Sequence, residues 1–167
     1  MKIHLDTKPR WVRALIVLGT LMILGAVNFA IFGKERIKRD GEVIYLRLAP
    51  VDPRSLMQGD YMALRFALAR ELQDSLSKSA REGGTGWARV ALDDKRIAAL
   101  SADESKGQIA LRYRIRGGNV WLGTNAFFFE EGTADRYRDA HYGEFRVDRK
   151  SGEAILVGLR NDRLEPL

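Results

Sequence analysis

The chain carries few side chains suited to covalent or acid–base chemistry, and their spacing limits what they can do. Only two histidines occur, His4 and His141, far apart. A Ser-His-Asp arrangement would have to use His141, which lies in Asp139-Ala140-His141-Tyr142-Gly143, and no nucleophile-elbow motif accompanies it. His141 reads instead as a surface or strand-edge histidine. The carboxylate pairs Asp93-Asp94 and Glu130-Glu131 are adjacent in sequence, so on a strand their members point to opposite faces. Such pairs make poor acid–base dyads and good solvated turns. Cysteine is absent, which excludes disulfides, thiol nucleophiles and thiolate-held metal. A metal would depend on carboxylates alone. No metal, no cofactor and no catalytic residue is expected.

These side chains must be positioned by a chain of 167 residues, enough for one folded domain and little more. Its first element is not part of that domain. Ala14 to Gly33 is a run of 20 residues without a charge, with only Thr20 and Asn28 appreciably polar. At ~1.5 Å per residue a helix of this length spans ~30 Å, the thickness of a bilayer's hydrocarbon core. Trp11 stands at its start, where an amphipathic ring prefers the interface. A cleaved signal peptide would have a shorter apolar region and an A-x-A-like site, whereas Asn28 occupies the −3 position for cleavage after Ala30. The sequence therefore divides into a basic tail 1–13, a transmembrane helix 14–33, a basic juxtamembrane linker 34–41 and a folded domain 42–167. Ala26, Asn28 and Ala30 form a possible transmembrane contact, because an amide in hydrocarbon gains from a hydrogen bond across helices and small residues permit close approach.

The net charge of +6 is concentrated at this anchor. Residues 1–40 hold eight basic and three acidic residues, while the remaining chain holds 20 basic and 19 acidic. A near-neutral body offers no obvious footprint for a phosphate backbone, so nucleic acid is not an expected partner. Lys and Arg are nearly balanced on the two flanks of the apolar run, so the positive-inside rule does not set orientation. The usual layout of a short tail before an anchor places the domain outside the cytoplasm.

Beyond residue 41 the pattern is β-rich. Val43–Leu48 and Tyr61–Leu68 read as strands, Ala69–Arg81 as a short helix, and Trp87–Leu92 and Arg96–Leu100 as strands around the turn Asp93-Asp94-Lys95. Ile109, Leu111, Tyr113 and Ile115 alternate with Ala110, Arg112, Arg114 and Arg116, so one face is buried and the other charged. Gly117-Gly118-Asn119 turns the chain into Val120-Trp121-Leu122. Ala126–Phe129 is a short apolar run and Glu131–Asp139 a helical turn. Gly143–Arg149 and Glu153–Leu159 form a last hairpin around Lys150-Ser151-Gly152. Seven or eight short strands with one or two brief helices imply a mainly β domain, closed as an antiparallel barrel or sandwich. Phe127-Phe128-Phe129, with Trp121 and Tyr137, is a possible groove for an acyl chain or a partner helix.

The most distinctive stretch is Pro50-Val51-Asp52-Pro53-Arg54 followed by Gly59-Asp60-Tyr61-Met62-Ala63-Leu64-Arg65-Phe66. It resembles the GDYXXLXY family, small bacterial membrane-anchored proteins of uncharacterised function. The motif matches at Gly59, Asp60, Tyr61 and Leu64 and departs at Phe66, where the family carries Tyr. The resemblance implies a single anchor in the bacterial inner membrane and a multi-pass membrane protein as partner, not a catalytic residue. In physical terms Asp52 before Pro53 suits an Asx-type turn, Gly59 permits positive φ at a reversal, and Asp60 caps that turn or pairs with Arg54. Leu64 and Phe66 fall on the buried face of the following strand. Asp52, Pro53, Arg54, Gly59, Asp60, Tyr61 and Leu64 are the candidate motif and partner surface.

Ser55, Met57 and the nearby Gly-Asp bear a faint likeness to type I signal peptidases, whose serine is deprotonated by a desolvated lysine. Ser55 lies only four residues before Gly59, no Met-Pro follows it, and no lysine falls in a strand after Phe66. The expected function is therefore that of a membrane-anchored accessory protein working with a multi-pass partner in the bilayer. The alternative is a membrane-tethered envelope module that binds a lipid, a glycan or another small ligand.

Overall fold

A computed structural model describes residues 10–49, 57–58, 61–76, 83–101 and 109–167. The described chain forms two compact units, one ending at Arg36 and one covering Ile37–Leu167.

Helix α1, Arg10–Asp40, is 31 residues long and buries none of them. It is long and apolar enough to cross a membrane. The two polar side chains of its uncharged run are bonded within the helix: Thr20 Oγ1 donates to Ile16 O at 2.9 Å and Asn28 Nδ2 to Leu24 O at 2.8 Å. The basic segment expected as a linker is helical through Asp40, and the Gly41 N–H donates to Ile37 O at 2.9 Å.

The second unit is built from three small antiparallel sheets that curve into a half-barrel. β1 (Glu42–Arg47) pairs with β9 (Tyr142–Val147), which pairs in turn with β10 (Ala154–Arg160). β2 (Met57–Gln58) pairs with β3 (Tyr61–Ala63), and β3 with β8 (Ala126–Phe128). The largest sheet has the order β5 (Ala98–Leu100), β4 (Gly84–Leu92), β6 (Ile109–Arg116) and β7 (Asn119–Leu122). Single bridges join the sheets: Tyr45 to Ile97 in parallel and Leu48 to Phe66 antiparallel. The Arg112 N–H, on the part of β6 that β7 does not reach, donates to Gly152 O in the β9–β10 turn at 2.8 Å. The curve thus returns on itself through one turn rather than through a strand pair.

Alternation builds the core. Ile44, Leu46, Val90, Leu111, Leu122, Phe145, Val147 and Leu159 are fully buried and come from both larger sheets. Burying each such side chain stabilises by about 1.5–3 kcal/mol. Phe66 meets Phe145 edge-on, ring centroids 5.2 Å apart, and ties the segment after β3 to the centre of β9.

Two expectations about local structure need correction. The strand expected over Tyr61–Leu68 stops at Ala63, and helix α2 begins at Ala67 rather than Ala69 and runs to Ser75. Ala67-Leu68-Ala69-Arg70-Glu71-Leu72 is made of good helix formers, and their propensity prevails once Phe66 is buried. Leu68 and Leu72, four apart and so on one face, are both buried beneath the helix. The helix also covers a sheet edge, because Gln73 Oε1 accepts from the Val120 N–H of β7 at 3.4 Å. The helical turn expected over Glu131–Asp139 is a single 3-10 turn, Ala134–Tyr137. The β6–β7 turn is as read: Gly117 and Gly118 have φ of +56° and +76°, the pair of positive values that a two-residue I′ hairpin needs.

Candidate functional site

Of the motif residues, Tyr61 and Leu64 can be placed, whereas Asp52, Pro53, Arg54, Gly59 and Asp60 lie outside the described residues, as does Ser55. Tyr61 opens β3, with its Cα opposite Phe128, and the two rings stack at 5.7 Å and a 39° tilt. Leu64 and Phe66 are buried among the core residues, as the alternation requires. The Leu64 N–H donates to Asn125 O at 2.6 Å, which holds the segment beside the start of β8. At the position where the motif has Tyr, the Phe66 ring is 4% exposed and lies among apolar side chains, so a phenol hydroxyl there would need a buried partner.

The outer wall of β1–β9–β10 carries charge that is paired. Register places Tyr45, Glu144 and Gly158 in one cross-strand row, with Arg47, Tyr142 and Arg160 in the next. Glu144 is 5% exposed, and Arg160 Nε donates to its Oε2 at 2.6 Å with Arg160 Nη2 on the same oxygen. Arg146 flanks Glu144 on the other side, with Nη2 3.7 Å from Oε1. Arg146 Nε is buried and has no hydrogen-bond partner among the described residues. Arg47 Nη2 reaches the Tyr142 hydroxyl at 3.5 Å, and its guanidinium lies 5.8 Å from that ring's centroid.

At the start of β1, Glu42 gathers two arginines from distant turns. Arg96 of the β4–β5 turn donates Nη2 to Oε1 at 2.6 Å, and Arg149 of the β9–β10 turn grips both oxygens through Nε and Nη2. Arg96 Nε also donates to Val43 O at 2.6 Å. The carboxyl is held below its usual range, first by the hydrogen bond from Arg149, against the opposing cost of burial, and further by Arg96. Two turns are thereby fastened to the first residue of the domain's first strand.

The outer wall of β5–β4–β6–β7 has the opposite character. Inward positions carry Ala88, Val90, Ile109, Leu111, Ile115, Val120 and Leu122, all buried. Outward positions carry Arg89 on β4 and Arg112, Arg114 and Arg116 on β6, all exposed. Trp87 lies opposite Arg112, and Trp121 lies opposite Arg114. The four strands contain no Asp or Glu. None of these four arginines forms an ion pair among the described residues. Trp87 is 55% exposed, and it rests on the β9–β10 turn at Gly152.

The alternation in β6 was visible in the sequence, but the face it joins was not. A body with 20 basic and 19 acidic residues looks featureless until folding sorts them onto different walls. The expected aromatic groove resolves into separate parts. Phe127 and Phe129 pack on Tyr137 at 5.1 and 5.4 Å and adjoin the core, while Phe128 turns outward beside Tyr61. Trp121 stands on the arginine wall. His141 is exposed, its carbonyl accepting the Leu48 N–H at 2.9 Å, and Asp93, Asp94, Glu130 and Glu131 are exposed residues outside the strands.

A family model described as GDYXXLXY protein matches residues 23–159, which includes the motif and all of β1 to β9. No curated protein and no solved structure matches the chain.

Proposed function

The chain belongs to the GDYXXLXY family, and from that membership we propose that it is a single-pass accessory protein of the bacterial inner membrane. It acts on a multi-pass membrane partner, with its folded domain on the extracytoplasmic side. The observation that carries this reading is α1: none of its apolar side chains is buried among the described residues, which suits a helix faced by lipid and by a neighbouring helix. Confinement to one membrane raises the effective concentration of two proteins, so modest contacts suffice for association. Asn28 satisfies one amide N–H on Leu24 O, which makes it tolerable in lipid while Ala26 and Ala30 leave room beside it for a second helix.

The test is purification of the full chain from its own membranes. One multi-pass membrane protein should co-purify at fixed stoichiometry. It should be lost when α1 is exchanged for an unrelated apolar helix and Asp52 and Arg54 are replaced. Retention of a lipid or glycan by the purified chain, with no such partner, would instead favour a ligand-binding module. A topology reporter fused after Leu167 that reads cytoplasmic would overturn the assigned side.

A further inference from the structure

The arginine wall, which has no ion pair among the described residues, bears on how such a partner is held. Arginine normally finds a carboxylate when one is within reach, and on the β1–β9–β10 wall of this same domain it does so at Glu144 and Glu42. On the β5–β4–β6–β7 wall four guanidinium groups share one surface with two tryptophans, and none of its strands supplies a counter-charge. Like charges on neighbouring positions of a sheet repel, which makes the arrangement costly in the isolated chain. Arg and Trp are also the residues most enriched at the energetic centres of protein interfaces.

We propose that this wall is the docking surface for a carboxylate-rich segment of the partner protein. The proposal rests on the accessory reading and names the chemistry by which the partner is recognised. Spacing supports it. Alternate residues of a strand lie ~6.6–6.8 Å apart, so Arg112, Arg114 and Arg116 present three guanidinium groups over ~13 Å. An extended peptide has the same repeat, so Asp or Glu at every second position meets them in register. Each planar fork can then take a carboxylate through two parallel hydrogen bonds. Trp87 and Trp121 lie beside these contacts and exclude water from them.

Direction supports it as well. Arg96 at the β4–β5 turn is bound to Glu42, so that end of β4 lies beside the start of β1. From Arg89, paired opposite Ala110, the stripe runs away from that end to Arg116 beside the β6–β7 turn. A partner segment extending along the strands meets all four positions. The domain's near-neutral total charge gives little long-range pull on a phosphate polymer, whereas paired short-range contacts to carboxylates do not depend on such a field.

The experiment uses the full chain as wild type, R112Q/R114Q/R116Q, R112K/R114K/R116K, and the control R70Q/R136Q/R163Q, which removes the same charge from exposed positions elsewhere. Each is purified from native membranes and assayed for the multi-pass partner. Each is also placed in neutral-lipid nanodiscs and titrated with poly-L-glutamate, a single-stranded oligonucleotide, and phosphatidylglycerol vesicles. The wild type should carry the partner and prefer poly-L-glutamate. The glutamine triple should lose about tenfold or more in both measurements, the lysine triple should lose less, and the control should stay within about twofold. Circular dichroism melts matching the wild type show that the variants are folded, as expected for exposed side chains. A partner retained at full stoichiometry by the glutamine triple overturns this docking surface and leaves the accessory reading standing. Absence of any stoichiometric partner from the wild type overturns the accessory reading and this surface with it. Tighter, arginine-dependent binding of the oligonucleotide or of the vesicles overturns the carboxylate assignment.

Discussion

Arg160 and Arg114 occupy equivalent places, each pointing outward from an antiparallel strand of one curved sheet system, and they face different surroundings. Arg160 lies against the buried carboxylate of Glu144, whereas Arg114 stands between Thr85 and Trp121. The residue type is the same, so the cross-strand neighbour decides what each does. Where register supplies a carboxylate, arginine becomes part of the scaffold. Where register supplies threonine and tryptophan, it has no ion pair among the described residues.

The two walls should therefore separate sharply under mutation. Glu144→Gln leaves Arg160 and Arg146 beside a neutral amide in a shielded place, which should cost about 3 kcal/mol by the measure of broken buried pairs. Arg114→Gln on the other wall should change stability by no more than about 0.5 kcal/mol. Thermal or denaturant melts of the two variants check the contrast, and equal losses would erase the distinction. Gly152 comes next, because it joins the walls. It has φ of +62°, and a Cβ there would overlap the Trp87 ring and sit 2.7 Å from Ala110 O. Gly152→Ala should cost roughly 2 kcal/mol through strain and overpacking. Exchange of the Arg112 amide hydrogen should accelerate with it.

Glu42 gives a smaller loss than Glu144 or Gly152, and the one with a pH signature. Its native pKa is lowered, so the stability it contributes is complete above the unfolded value near 4.5 and is lost as pH falls through the native value. Both arginines are partly exposed, and Glu42→Gln should cost about 1 kcal/mol at pH 7. The gap between variant and wild type should close progressively below pH 4.5. A gap that stays constant through acid would mean that the Arg149 and Arg96 contacts do not hold the charged form.

Legibility followed the range of the interaction. The apolar run was readable because crossing a bilayer requires an uninterrupted stretch, and α1 has it. The β6 alternation was readable because strand periodicity is local, and its inward positions are indeed buried. The end of the Tyr61 strand was not, since it depended on Leu48 bridging to Phe66 and on Phe66 reaching Phe145. The candidate surface was half readable. The arginines of β6 were visible as a charged face, but nothing near them in sequence places Arg89, Trp87 or Trp121 alongside.

The amino-acid order alone determined that this chain has an apolar helix of membrane-spanning length followed by a mainly β domain, since both follow from periodicity and length within a few residues. It also carried the motif that marks the family. The tertiary structure decided which charges are spent and which remain. Glu42 meets Arg149 across 107 positions and Glu144 meets Arg160 across 16. Pairings at such separations arise only when strand register and sheet curvature bring distant segments together, and no local pattern encodes them.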